Sequence, residues 1–380
     1  MLKESSTSSL ASINSTNKKV ALITGITGQD GAYLARLLLN KENYEVHGLV
    51  RRNSTPNKQR LDQFGITDKI TFHDADLTEH ETVNRIIESI FPDEIYNLGA
   101  MSFVASSFNN PLYTAQVNGL AVLNMLTFIS KNFPECRFYQ ASTSEMFGDV
   151  LEIPQTEKTP FNPRSPYGSA KAFAHHTCVN FRHAYGMHIS CGILFNHESF
   201  LRGKEFVTRK IARGLTKIFN EIKVTNSSQQ VTNVLHLGNV HAKRDWGHAE
   251  DYVNAMWLML QQEEPDDYVI ATGESHTIEE FIHACMDWGI RKNLISPCVY
   301  SGFGTSWTAS INPYYLNKGA ENVIIKIDPQ FYRPSEVNHL QGDASKAREK
   351  LGWVPVKSDL LSLVKDMMEA EDERVKSNGP

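Results

Sequence analysis

The stretch Lys19-Val20-Ala21-Leu22-Ile23-Thr24-Gly25-Ile26-Thr27-Gly28-Gln29-Asp30-Gly31 decides the fold. Val20 to Ile23 is a compact apolar run of the length of one buried parallel strand, and Thr24-Gly25 ends it. A helix is expected next, because Leu34, Leu37 and Leu38 share one helical face. A chain that turns sharply, brings bare backbone close to a pyrophosphate and packs a helix tightly on a strand needs glycine at positions such as Gly25, Gly28 and Gly31. The free N–H groups and the dipole of the helix N-terminus then favour an anion. Glycines also mark ordinary turns, so the spacing alone is weak. Strand, loop and helix in this order point to a dinucleotide seat.

Working outward, β-rich runs alternate with helical ones. Glu45 to Val50, Lys69 to Phe72, Glu94 to Leu98, Arg137 to Ser142 and His188 to Phe195 read as strands. Thr78 and Glu81 have the spacing of a capping box ahead of Val83, Ile86, Ile87 and Ile90. Tyr252, Met256 and Met259 recur at helical spacing and read as core. The alternation predicts an α/β fold with a Rossmann-like doubly wound parallel sheet. Beyond Asn196 the pattern loosens, and Gly, Pro and Asn become frequent between Ser296 and Pro334. The expected division has three parts. Residues 1–18, rich in Ser, Thr and Asn, form a disordered tail. Residues 19–195 form the Rossmann domain, with segments returning near 233–260. Residues 196–380 form a smaller, interleaved and mainly substrate-binding domain.

The chain has 380 residues, 41% of them hydrophobic, enough to bury a large core. A formal net charge of -5 with no basic stripe argues against nucleic acid as a partner. No apolar stretch reads as a membrane span, and the first 18 residues lack the apolar centre of a signal peptide. A cytoplasmic protein without a membrane partner is the expectation. Cys136, Cys178, Cys191, Cys285 and Cys298 are too scattered for a disulfide framework or a structural zinc site. His175 and His176 are adjacent and face different directions on a helix, so no metal is expected.

The end of the second strand refines the cofactor. Folds that prefer NAD usually place an acidic residue there to bond the ribose 2′-hydroxyl. This chain has Val50-Arg51-Arg52-Asn53-Ser54, where two guanidinium groups can clamp a 2′-phosphate. A solvated basic loop is the plainer reading, and NADP the sharper one.

Ser165-Pro166 opens a helix, and residues four apart on it face the same way, so Tyr167 and Lys171 pair. A nearby ammonium lowers a tyrosine pKa, which would make Tyr167 a base near neutral pH. Thr143 ends the Arg137 to Ser142 strand, where such sheets place their ligand crevice. Its hydroxyl can bond a substrate oxygen beside Tyr167, and Glu145 offers a second acid/base. A helix-capping or solvated carboxylate is the bland account of Glu145.

The glycine loop, Thr143 and the Tyr167/Lys171 pair resemble the extended short-chain dehydrogenase/reductase superfamily. More closely, the chain resembles GDP-mannose 4,6-dehydratases from about Lys19 to about Asp372. The resemblance rests on Phe138-Tyr139-Gln140-Ala141-Ser142-Thr143-Ser144-Glu145, Ile193-Leu194-Phe195-Asn196-His197-Glu198-Ser199, Arg244-Asp245-Trp246-Gly247-His248 and Tyr332-Arg333-Pro334-Ser335-Glu336-Val337.

It implies a redox-neutral elimination in which Tyr167, Thr143 and Glu145 act on the sugar. Glucose-type dehydratases carry Thr-Asp-Glu where this chain has Thr143-Ser144-Glu145, which favours the GDP-mannose branch. For the cofactor it implies Gly25, Ile26, Thr27, Gly28, Gln29, Asp30, Arg51, Arg52, Asn53, Ser54, Asp76, Leu77, Leu98, Gly99, Ala100, Ser102, Tyr113, Tyr167, Lys171, His197 and Arg202. For the GDP-sugar it implies Ser102, Glu145, Asn196, Val207, Lys210, Arg244, Arg333 and Glu336. It also implies a homodimer or homotetramer.

Two departures bear on the sugar. Met101 and Phe103 stand where many members have Gln and His, beside the expected sugar pocket, and Phe200-Leu201-Arg202 replaces a Pro-Arg-Arg segment. A related sugar such as a GDP-manno-heptose therefore stays open as substrate. So do an epimerase or reductase of the same fold, and a non-enzymatic NADP-binding regulator. Glu145 speaks against the epimerase or reductase, and the retained Thr143, Tyr167 and Lys171 against the regulator.

Overall fold

A computed structural model describes residues 18–52, 54, 57–225, 231–311, 322–332 and 335–378. Residues 1–17 of the expected tail, Asn53 and Arg333 lie outside the described residues.

Among the described residues, seven strands form one parallel sheet: β1 (Lys19–Thr24), β2 (Tyr44–Val50), β3 (Thr71–Asp74), β4 (Glu94–Asn97), β5 (Arg137–Thr143), β6 (Ile189–Leu194) and, much later, Asp267–Ile270. Their spatial order is Asp267–Ile270, β6, β5, β4, β1, β2, β3. All neighbours run parallel. The order reverses between β1 and β4, and a doubly wound sheet opens its ligand crevice at the carboxyl ends of such a pair. The doubly wound sheet expected from the alternation of elements is the fold observed.

The glycines at that crevice have steric reasons. Gly25 sits at φ +68, and a Cβ there would meet the Gly99 backbone at 2.8 Å. A Cβ on Gly31 would stand 2.5 Å from the Gly25 carbonyl oxygen and from Ile26 Cα, so only glycine lets the helix Gln29–Asn40 lie this close to the end of β1.

Both faces of the sheet are covered. On one side Leu34, Leu38, Tyr252, Met256 and Met259 join Ile23 and Tyr96 in a single core. On the other, Leu22, Val83, Ile87, Val122, Leu126 and Phe138 form a second. Each fully buried Leu or Ile side chain here contributes about 2 kcal/mol by removal of apolar surface from water. The stretch Pro111–Asn132 does meet the length and apolarity of a membrane span, contrary to the sequence reading. Its Val117 is buried, and its Val122, Met125, Leu126 and Ile129 face the second core, which accounts for much of its hydrophobicity.

Thr78 and Glu81 form no capping box. Asp76, two residues earlier, accepts from the Thr78 hydroxyl at 2.8 Å, and the helix His80–Ile90 starts without a side-chain cap. The same spacing does form a box at Thr277/Glu280, which opens the helix Ile278–Arg291.

The later half adds β7 (Asn196–Glu198), β8 (Leu235–Leu237), β9 (Lys243–Arg244) and β10 (Trp246–His248). β7 pairs with β10 in parallel, which places Asn196 and His197 beside Trp246 and Gly247. A four-stranded sheet, Cys298–Ser301, Thr308–Ile311, Asn322–Ile327 and β8, has its own core. Ile211, Leu215, Phe219, Phe281, Trp288, Leu363 and Met367 fill it. The stretch 233–260 divides: β8 joins this small sheet, while the helix Ala249–Gln261 packs against Gln29–Asn40.

Candidate active site

Two adjoining cavities lie at the carboxyl ends of β1, β4 and β5. The larger, about 760 Å³, takes its walls from both halves of the chain. The smaller, about 690 Å³, runs along the ends of β2 and β3. Both are lined by Gly25, Thr27, Asn57, Gly99 and Ala100, so they meet around the glycine loop.

Thr143, Glu145, Tyr167 and Lys171 all line the larger cleft and are all buried. Local structure places them. Thr143 closes β5, and its hydroxyl accepts the Glu145 N–H at 3.2 Å, which turns the chain into Ser144–Met146. The helix Pro166–Tyr185 begins where Ser165 accepts the Gly168 N–H at 3.0 Å, with Pro166 in its first turn.

The electrostatics differ from the sequence expectation. Burial pushes the Tyr167 hydroxyl up to about 12, and the Glu145 and Asp30 charges add to this. A hydrogen bond with Thr143 and the Arg202 charge pull it down. Burial draws Lys171 down to about 8, and its Nζ donates to the Ala141 carbonyl at 2.9 Å. Desolvation outweighs any help the ammonium gives the phenolate.

Of the residues expected to hold a dinucleotide, Gly28, Gln29, Asp30, Leu98, Ser102, His197 and Arg202 line the larger cleft. Arg51, Arg52, Asp76, Leu77 and Tyr113 line the smaller. Arg51 donates to the Tyr113 hydroxyl at 3.2 Å, which donates to Asp76 at 3.3 Å. Ile26 lines neither: its side chain is fully buried against Gly48, so only its backbone could serve. Ser54 lines neither as well.

Asp30 and His197 form an ion pair at 2.9 Å. Burial opposes the charge on both. For Asp30 the charge and bond of His197 prevail and hold the carboxyl below its ordinary value. For His197 the Asp30 charge and bond prevail and hold the imidazole above its ordinary value.

On the substrate side, Asn196, Val207, Lys210, Arg244 and Glu336 line the larger cleft. Arg244 and Glu336 are ion-paired to each other at 3.1 Å, and Lys210 Nζ lies 3.4 Å from the centre of the Phe331 ring. Phe103 faces the same cleft, edge to face with Phe206 at 5.7 Å. Met101 does not join it there. Its sulfur accepts from Thr114 at 3.2 Å, and it lines the smaller cavity instead of a sugar pocket. Arg60, Phe206 and Phe331 line the larger cleft without any sequence signal that marked them.

The fold also gathers His175, Cys191 and Asp267 with ligand atoms within 4.8 Å of one another, a grouping the His175/His176 adjacency does not reveal. Arg182 donates to Asp267 there, so a cation already serves that carboxylate.

Sheet order and the strand, glycine loop and helix at its centre define the class as a Rossmann-like doubly wound α/β fold. The family model described as GDP-mannose 4,6 dehydratase matches residues 22–367. A GDP-mannose 4,6 dehydratase of Drosophila melanogaster is 46% identical over 368 residues, which is 95% of this chain and 88% of that protein. The chain belongs to the GDP-mannose 4,6-dehydratase family. Among solved structures, a dTDP-glucose 4,6-dehydratase from Bacillus anthracis in complex with NAD aligns with a TM-score of 0.70 at 17% identity, over 93% of this chain and 97% of that one. RMD from Pseudomonas aeruginosa, complexed with NADPH, aligns with a TM-score of 0.68 at 20% identity, over 94% and 100%. These two share the fold.

Proposed function

We propose that the protein converts GDP-mannose to GDP-4-keto-6-deoxymannose, with NADP held across the two cavities. The observation that carries this reading is that Glu145 shares one crevice with Thr143 and Tyr167. A C4 oxidation alone has no use for a second acid/base there.

The residues fit a dinucleotide. The helix Gln29–Asn40 begins at Gly28 with no side-chain cap, leaving its first N–H groups for an anion. The cavities meet at the glycine loop, and Arg51 and Arg52 line the smaller one, where they suit a 2′-phosphate. When bound, the nicotinamide supplies a hydride acceptor for the sugar's C4 and a hydride donor for its C6.

Tyr167, whose phenol is held high by burial, would take the proton of the C4 hydroxyl once the positive charge of a bound nicotinamide favours the phenolate, while Thr143 holds the same oxygen. The ketone so formed acidifies the C5 proton, which Glu145 removes. Glu145 then gives a proton to the departing C6 hydroxyl, and water leaves. Hydride gain at C6 and proton gain at C5 complete a product one water lighter, with no net change in the cofactor. Arg244 and Lys210 suit the diphosphate, and Glu336 suits the N–H edge of guanine.

The dimer or tetramer that the family resemblance implies would cover Leu112, Leu120 and Phe173, which are exposed on helices packed against each other. The free thiols of Cys136, Cys178, Cys191, Cys285 and Cys298 suit a reducing cytosol. The mechanism is tested with GDP-mannose deuterated at C4. Deuterium recovered on C6 of the product supports an internal hydride; deuterium lost to solvent or to free cofactor refutes it.

A further inference from the structure

We propose that Arg60 is a positioning residue that helps tie the cofactor loop to the substrate-side segment Ser199–Gly203, so that dinucleotide and GDP-sugar affinity both draw on its guanidinium. This rests on the dinucleotide reading above. Arg60 belongs to the short helix Gln59–Asp62, whose Leu61 is fully buried in the main core and anchors it. From there Nε donates to the Leu201 carbonyl at 2.7 Å and a terminal nitrogen donates to the Thr27 carbonyl at 3.0 Å. The side chain also lines the larger cleft.

Each bond fixes a peptide that matters. The Gly28 N–H donates to the Gly25 carbonyl at 2.9 Å, so with Arg60 on its carbonyl the Thr27–Gly28 peptide is held at both ends. That peptide sets the tilt of the helix start which would face the diphosphate. At the other end, the Leu201 carbonyl belongs to the peptide that leads into Arg202, whose guanidinium pairs with Glu198 at 3.0 Å and lies 3.7 Å from the centre of the Phe206 ring in the same cleft. The neighbouring Phe200 and Arg202 carbonyls are taken by Arg209. Arg60 therefore satisfies the carbonyl between them and, together with the Ser199 hydroxyl that donates to Gln29 Oε1 at 2.9 Å, ties this strip to the glycine loop. A guanidinium spans two carbonyls in fixed geometry, whereas an ammonium is a point donor on a flexible stem.

The test uses Arg60→Lys and Arg60→Ala in the full chain, with NADPH binding read by quenching of tryptophan fluorescence and steady-state kinetics on GDP-mannose. The expected result for both folded variants is an NADPH Kd and a GDP-mannose KM each raised about tenfold, the loss of one or two charge-assisted hydrogen bonds. The fall in kcat at saturation is smaller than the rise in KM, and added guanidinium ion restores NADPH affinity to Arg60→Ala. An unchanged Kd in a folded variant overturns the proposal. So does a loss confined to kcat. If Arg60→Ala does not fold, Arg60→Lys and Arg60→Gln carry the comparison. Failure of the unaltered protein to bind NADPH would instead refute the dinucleotide reading, which keeps the two outcomes apart.

Discussion

The imidazole Nε2 of His197 lies 2.9 Å from the Asp30 carboxylate, joining the strand Asn196–Glu198 to the first turn of the helix after the glycine loop. The Asp30 carboxyl is held low and the His197 imidazole high, so each stabilises the other's charge. The contribution of Asp30 is present above its ordinary value of 3.8 and lost as pH falls through the depressed one. That of His197 is present below its ordinary value of 6.5 and lost as pH rises through the elevated one. His197→Gln should therefore cost about 2 kcal/mol in urea unfolding at mildly acid pH, with the gap from the unaltered protein narrowing in alkali. A gap that does not change with pH would contradict the charged pair.

Arg52→Ala should weaken NADPH by about tenfold or more while leaving NADH within about twofold. The arginine is exposed and lines the cavity that Asp76 and Tyr113 also line, and under the proposed 2′-phosphate clamp it would touch that substituent alone. Equal losses for the two nucleotides, measured by fluorescence titration, would reject the 2′-phosphate clamp.

Lys171 holds its proton only below about 8. If the ammonium supports proton transfer at Tyr167, kcat falls as pH rises through that value. Lys171→Met should lower kcat about a hundredfold and remove this alkaline limb. A limb that persists in the variant belongs to another group.

Glu145→Gln should keep NADPH binding and lose release of the keto-deoxy product by about a thousandfold. Full turnover in that variant would take Glu145 out of the chemistry.

The sheet and the heart of the crevice were legible because their signals are local. One apolar run and three glycines announced the first strand, loop and helix, and a four-residue spacing announced Tyr167 and Lys171. What stayed hidden depends on competition or on distance along the chain. Thr78 and Glu81 have a correct capping spacing, but Asp76 takes the hydroxyl first. Met101 and Phe103 are near neighbours in sequence, yet Thr114 draws Met101 into the smaller cavity while Phe103 meets Phe206 in the larger. Arg60 bonds backbone carbonyls 33 and 141 residues away, and a carbonyl has no signature in sequence. The tyrosine pKa ran opposite to expectation because spacing reveals the ammonium but not the desolvation.

The central claim is tested most directly by incubating the purified protein with GDP-mannose and a catalytic amount of NADP⁺ and weighing the nucleotide sugar by mass spectrometry. The account predicts a product lighter by one water, with no accumulation of NADPH. An unchanged mass in a protein that binds NADPH would contradict GDP-mannose as the substrate, and stoichiometric NADPH would contradict the internal return of hydride.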